Sequence, residues 1–293
     1  MLDKEEILLN QEESIEIDEG APILGEYIKN FLLYARKAAV QDDKRVLFYR
    51  GQPDKDYSLT PSVFRKGLLE KEHVLIHDLL LNSPYEFSSI ENILERLIKM
   101  QHYGLPTRLL DVTTNPLVAL FFACNNAPDK DGEVIVFYDY MQRPNDIDAR
   151  CIAALAEYTG SSERQMLGFL TDRGLENIAL GRLTKLTHIP IEAPLNNERI
   201  KRQQGAFLVI GVHGDSNDNP YQKADFDLKP SLNSILLKDV YGNEYDLPNS
   251  IIIPKQYKHK ILNDLEVLGI NHAMMYPELE HQALFIKKKY EEV

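Results

Sequence analysis

One stretch near the middle of the chain, residues 101–124, constrains the fold more than any other part of the sequence. It begins with a turn at residues 103–106, because Gly tolerates unusual backbone angles and Pro fixes its own φ. Residues 107–112 are typical of a short strand, and the almost wholly apolar run at 117–124 predicts a buried helix. Polar residues therefore collect where a strand passes into a buried helix, which is typical of a binding site.

The composition favours a reduced, cytoplasmic, soluble protein. The chain has 293 residues and a net charge of −12. This negative charge argues against a protein whose main function is to bind the phosphates of nucleic acids. It has only two cysteines and no Cys/His spacing of a zinc site, so we predict neither a disulfide framework nor a metal centre. No apolar run is long enough to cross a bilayer, and the acidic amino terminus is unlike a targeting peptide, so we predict no membrane association.

The pattern of elements indicates an α+β fold rather than a regular βαβ winding. Apolar spacing predicts helices at 23–39, 69–81, 90–102 and 255–268, and strands at 46–50, 133–140 and 205–212. We divide the chain into an acidic, mobile segment at 1–22, a main domain at 23–212, and an α/β extension at 213–293 that packs on it. Residues 215–230 are rich in Asn, Asp and Pro and predict a loop.

The first candidate site residue is Arg50, which ends a predicted strand directly before Gly51. A planar guanidinium suits bidentate contact with phosphate or carboxylate, and the glycine leaves room for a ligand. Tyr49 and Gln52 flank this pair and join it as candidate ligand-binding residues. The alternative interpretation is a surface arginine in an ordinary ion pair.

The central stretch supplies further candidates. Thr113 and Thr114 stand at the strand-to-helix junction, where hydroxyls could hold a ribose or orient a phosphate; the alternative is plain helix capping. His102 could act in acid–base chemistry or be structural. Arg108 and Asp111 are three residues apart on a strand and cannot share a face, so one is expected at the site and the other in a structural pair.

The third group of candidates precedes the strong strand at 205–212. Glu198, Gln203 and Gln204 stand at its start, where at least one side chain could project into a cleft. An ordinary solvated loop is the alternative. The chain contains no Gly-rich phosphate loop, nucleophile elbow or HExxH motif.

These motifs together resemble the FRG domain, a family named for its (F/Y)RG motif. The resemblance rests on residues 48–52, 101–111 and 203–207, and it covers roughly residues 24–212. One departure is Val112, where the family commonly has an aromatic residue.

A more distant resemblance is to ADP-ribosyltransferases of the Arg-Ser-Glu class. It rests on Tyr49-Arg50-Gly51 and on Val112-Thr113-Thr114 leading into the helix at 119–123. The resemblance implies a split mixed or antiparallel sheet surrounded by helices, with NAD as cosubstrate. Arg50 would bind the NAD phosphate or ribose and Thr113 the nicotinamide ribose, with Tyr49, Gly51, Gln52, Thr114, His102 and Arg108 around them.

The catalytic carboxylate is where this chain departs from those transferases. They use a Glu at the start of a later strand, where this chain has Gln203 and Gln204. A Gln cannot supply the negative charge that stabilises a developing cation. Glu198 could substitute if the preceding loop folds back, so we include Glu198 and Gln203 with Arg50 and Thr113 as candidate catalytic residues.

Three functional hypotheses follow. The first is an NAD-dependent ADP-ribosyltransferase acting on a protein or nucleic-acid acceptor, with a bacterial toxin or antiphage effector as the role such an activity suggests. The second is a non-catalytic sensor that binds a nucleotide or nucleic acid. The third makes all these residues structural, with the threonine pair capping a core helix.

Overall fold

The computed structural model describes residues 23–41, 44–160, 163–175, 188–194, 197–211, 228, 232, 235–238 and 243–291. The prediction of a mobile segment at 1–22 lies outside these residues, as does almost all of the loop predicted at 215–230.

A six-stranded antiparallel sheet is the centre of the structure, and it confirms the α+β class. Its order is β4-β5-β2-β1-β3-β8, and a separate two-stranded sheet pairs β6 with β7. The strands are β1 Val46–Gln52, β2 Leu109–Thr113, β3 Gly132–Asp139, β4 His188–Glu192, β5 Gly205–Ile210, β6 Ile235–Lys238, β7 Glu244–Leu247 and β8 Ser250–Ile253.

Helices surround this sheet. They are α1 Ile23–Ala39, α2 Glu72–Asn82, α3 Pro84–Phe87, α4 Ile93–His102, α5 Pro116–Cys124, α6 Ile147–Ala154, α7 Glu163–Thr171, α8 Glu198–Arg202, α9 Lys258–Val267, α10 His272–Met275 and α11 Leu279–Glu291. None of the helices in the described part of the chain combines the length and apolar character that a bilayer crossing requires.

Helix α5 is apolar nearly all round because it is packed on two sides. The side chain of Asn115 caps it by accepting from the Leu117 amide at 2.9 Å, and Pro116 occupies the first turn, where a missing N–H costs nothing. The helix lies so close to β1 that a Cβ added to Gly51 would be 1.8 Å from the Ala119 carbonyl oxygen. Gly51 is therefore required by the packing of a helix against its strand.

Strand alternation divides the core into three apolar clusters. On the face that bears Tyr49 and Thr113, here called the helical face, α4, α6 and α7 cover β2, β5 and β4. On the same face, a separate cluster of α1, α5 and α9 covers β1, β3 and β8. On the opposite face, one cluster that includes Phe48 and Val112 extends across all the central strands.

The sheet has a seam in its middle, between β1 and β2. Seven residue pairs join β1 to β3 and five join β2 to β5, but within strands β1 and β2 only Tyr49 and Thr113 are paired. The two apolar clusters on the helical face also border each other at this seam. A gap in the packing therefore remains between them. The split sheet of the transferase resemblance stays a prediction, since β1 and β2 are paired neighbours in one six-stranded sheet.

The carboxy-terminal part of the chain contributes one strand, β8, to the six-stranded sheet. Strand β8 pairs with β3 over Gly132–Ile253 to Ile135–Ser250. At the start of α9 the buried ammonium of Lys258 donates to the carbonyl oxygens of Pro53 at 2.5 Å and Ala127 at 3.0 Å. These contacts attach α9 to the loops that follow β1 and α5.

Candidate functional site

A cavity of about 200 Å³ opens at the seam between β1 and β2. Its lining brings together residues from the three sequence motifs: Tyr49, Arg50, Gly51, Gln101, His102, Asp111, Val112, Thr113, Gln203 and Phe207. Four further residues complete it: Ile98, Phe122, Arg199 and Ile200. Distant parts of the sequence therefore meet at one place because β1, β2 and β5 are neighbours in the sheet.

Arg50 reaches across the seam. Its Nη1 donates to the main-chain oxygen of Asp111 at 2.5 Å, while its buried Nε has no hydrogen-bond partner within the described ranges. Burial lowers the pKa of the Arg50 guanidinium, and the charge of Asp111 opposes that shift. The group remains a cation at neutral pH. A buried donor without a partner is costly, so an acceptor supplied by a ligand would stabilise this arrangement.

Thr113 connects the end of β2 to the turn before β5. Its hydroxyl donates to the main-chain oxygen of Gln203 at 2.6 Å and accepts from the Asn115 amide at 3.0 Å. Thr114 is exposed and hydrogen-bonds through its amide to the Gln204 oxygen at 3.0 Å. Because Asn115 caps α5, neither threonine performs the capping role considered from sequence. Thr113 lines the cavity and Thr114 does not.

A hydrogen-bonded chain orients the polar wall formed by the end of α4. Thr107 donates to Oε1 of Gln101, and Nε2 of Gln101 donates to Oδ1 of Asp111 at 2.9 Å. The amide of Gln101 is thereby fixed in one orientation, and it holds the Asp111 carboxylate in place. The neighbouring His102 also lines the cavity and packs edge-to-face on Tyr103 at a centroid distance of 5.1 Å.

The third wall comes from the turn between α8 and β5 together with the carboxy-terminal segment. Nε2 of Gln203 donates to the main-chain oxygen of Met275 at 2.9 Å. Arg199 lines the cavity, lies 5.0 Å from the ring centroid of Tyr276, and has Nη1 3.9 Å from Oε1 of Glu278. Burial raises the pKa of Tyr276. The segment that follows α9 thus supports this wall.

Besides Thr114 and Gln204, three residues proposed from sequence lie outside the lining of the cavity. Glu198 is exposed on α8 and accepts from Lys201 at 2.9 Å, and this hydrogen bond lowers the pKa of Glu198. Arg108 is buried and forms a bidentate ion pair with Glu72. Gln52 is also buried, but on the opposite face of the sheet from Tyr49. Of the pair Arg108 and Asp111, Asp111 therefore lies at the cavity and Arg108 in a structural pair.

The residues that sequence reasoning missed at this site are mainly apolar. Ile98, Phe122 and Phe207 line the cavity, yet in sequence they are indistinguishable from core positions. Arg199 was missed because α8 was not predicted. Across the described ranges, no group of three or more His, Cys, Asp or Glu side chains is arranged to hold a metal ion.

Fold and site together define an α+β protein whose motif-bearing strands meet at a cavity between β1 and β2 of an antiparallel sheet. Residues 45–132 match the family model described as FRG domain, so the chain contains an FRG domain. The matched segment carries Arg50, Gln101, Asp111 and Thr113, whereas Gln203 and Arg199 lie beyond it. No curated protein and no solved structure matches the chain.

Proposed function

We propose that the cavity binds NAD or a related nucleotide and that the protein transfers ADP-ribose to a protein or nucleic-acid acceptor. The observation that carries this proposal is the meeting of Arg50, Thr113 and the start of β5 in one cavity. The resemblance to Arg-Ser-Glu transferases concerns these same three positions, and the strand order β5-β2-β1 makes them neighbours.

The chemistry of the lining suits a nucleotide. Arg50 and Arg199 are cations that can contact phosphate, and Tyr49, Phe122 and Phe207 offer aromatic surface for a planar base. A volume of about 200 Å³ is smaller than the roughly 300–1,000 Å³ of sites that enclose a whole drug-sized ligand. We therefore propose that the nicotinamide and its ribose enter and that the adenosine half remains outside.

A non-catalytic sensor is the second candidate, and one observation favours it. Gln203 occupies the position at which the transferases have a Glu. Its side chain already donates a hydrogen bond to the main-chain oxygen of Met275. Glu198, the substitute considered from sequence, is exposed and lies outside the lining of the cavity. Under this alternative, Arg50 would still bind the nucleotide, but nicotinamide would not be released.

Calorimetric titration of NAD into wild type and Arg50→Ala tests the binding step. Arg36→Ala is a matched control, because Arg36 is exposed on α1 and outside the cavity. We expect the Arg50 variant to lose at least tenfold in affinity, since a hydrogen bond to a charged group contributes about 1.5–3 kcal/mol. Absence of wild-type binding at millimolar NAD would refute the proposal, and so would equal affinities of wild type and Arg50→Ala.

Incubation with labelled NAD distinguishes the two candidates. Release of nicotinamide with label on a macromolecule supports the transferase, and Arg50-dependent binding without release supports the sensor. A toxin or antiphage role would follow from transfer to a cellular acceptor. Cytoplasmic location is part of the same proposal, because Cys124 and Cys151 are free thiols, as is usual in a reducing compartment.

A further inference from the structure

We infer that the carboxylate of Asp111 acts on the ribose in this cavity, in place of the Glu that the transferase resemblance expects before β5. This inference rests on the proposed function and adds a catalytic residue to it. Asp111 is the one carboxylate in the lining of the cavity as formed by the described residues.

The position of Asp111 in β2 fits this role. It precedes Thr113 by two residues, so strand alternation puts both side chains on the helical face, beside Tyr49. The main chain of Asp111 holds Arg50, and its Oδ1 is held by Gln101 at 2.9 Å. A carboxylate oriented by an amide and supported by a nearby cation is pre-organised to face a developing positive charge.

The second carboxylate oxygen of Asp111 is available for chemistry. Oδ2 makes no hydrogen bond or ion pair within the described ranges, and Asp111 is an exposed residue of the cavity lining. Glu198 differs in each respect, because it lies outside the lining and its charge is compensated by Lys201. The available carboxylate is therefore contributed by β2 and not by the turn before β5.

The proposed step transfers the ribose of NAD from nicotinamide to an acceptor. The bond between C1′ of the ribose and the nicotinamide nitrogen breaks, and neutral nicotinamide leaves with the bonding electron pair. The cationic character that develops at C1′ is stabilised by the Asp111 carboxylate. A hydroxyl or amine of the acceptor, or water, then forms the new bond to C1′ and gives its proton to Asp111, which later releases it to solvent.

Asp111→Asn is the variant that tests the role, with Glu198→Gln as its matched control. The Asn retains an acceptor for Gln101 but loses the charge and the ability to take a proton. NAD affinity and nicotinamide release are measured for wild type and both variants. We expect Asp111→Asn to bind NAD within about threefold of wild type but to release nicotinamide at least 100-fold more slowly. Glu198→Gln should match wild type in both measurements.

Failure of this inference can be told apart from failure of the proposed function. Wild type that binds no NAD refutes the proposed function and, with it, the role of Asp111. Wild type that binds NAD without releasing nicotinamide, or an Asp111→Asn variant that turns over at the wild-type rate, refutes the role of Asp111 and leaves binding intact. Loss of turnover in Glu198→Gln would assign the role to Glu198 and overturn the inference.

Discussion

The buried ion pair between Arg108 and Glu72 makes a sharp prediction about stability. Nε of Arg108 donates to Oε1 of Glu72 at 3.0 Å, its Nη2 donates to Oε2, and its Nη1 donates to the main-chain oxygen of Ile210 at 3.2 Å. The exposed fractions of the two residues are 5% and 2%. Removing either partner alone would leave the other charge buried and uncompensated.

The structure indicates the size of the effect. We expect Arg108→Met and Glu72→Met each to lower the free energy of unfolding by about 3–5 kcal/mol. The double variant should regain most of that loss, because two apolar side chains of suitable volume replace a desolvated pair. Its residual deficit should be about 1 kcal/mol, for the lost hydrogen bond to Ile210.

Urea unfolding followed by circular dichroism measures these three free energies and gives the coupling of the pair. Single variants within about 1 kcal/mol of wild type, or a double variant less stable than both singles, would contradict the reasoning. Nucleotide affinity of the double variant supplies a second readout. If Arg108 contacted the ligand, as its sequence position suggested, the double variant would recover stability yet lose affinity. We expect it to recover both.

Two further predictions concern packing. Gly51→Ala should lower the free energy of unfolding by at least about 3 kcal/mol, because the added Cβ would lie 1.8 Å from the main-chain oxygen of Ala119. Gly168→Ala should raise the free energy of unfolding by about 0.5–1 kcal/mol, because its added Cβ would have no atom within 4 Å. Similar urea midpoints for the two variants would contradict this. Burial raises the pKa of Cys124 to about 12 and of Cys151 to about 11, so both thiols should resist a thiol-reactive dye at pH 8 until the protein is unfolded. Rapid labelling of either thiol in the native protein would show that its surroundings open.

Periodic apolar patterns predicted most of the helices and strands. The helix predicted at 23–39 is α1 with the same bounds, and the strand predicted at 205–212 is β5, Gly205–Ile210. Strand β4, His188–Glu192, was not predicted because five residues interrupted by a proline give too short an alternation. An edge strand tolerates that proline, since one side of its backbone needs no partner.

The motifs located Arg50 and Thr113 on two strands, and their role as site residues stays a prediction. Both line the cavity because Arg50 lies near the end of β1, Thr113 ends β2, and the two strands are neighbours in the sheet. The placement of Glu198 could not be predicted, because it depends on α8, a helix of five mostly charged residues capped by Asn197. Strand alternation did indicate that Arg108 and Asp111 separate, but only the buried Glu72 identifies which of them is structural.

Lys258 and β8 have a consequence for how the family segment should be understood. Residues 45–132 match a family model, so this segment recurs in other proteins. It contains Arg50 and Thr113, which supply a cation and a hydroxyl to the cavity. The segment is not a complete unit of folding. A fragment with these limits would have β1 and β2, lack nearly all of β3, and leave the carbonyls of Pro53 and Ala127 without the ammonium that α9 donates. The matched segment contributes one part of the cavity and depends on later sequence for the remaining walls and for its support.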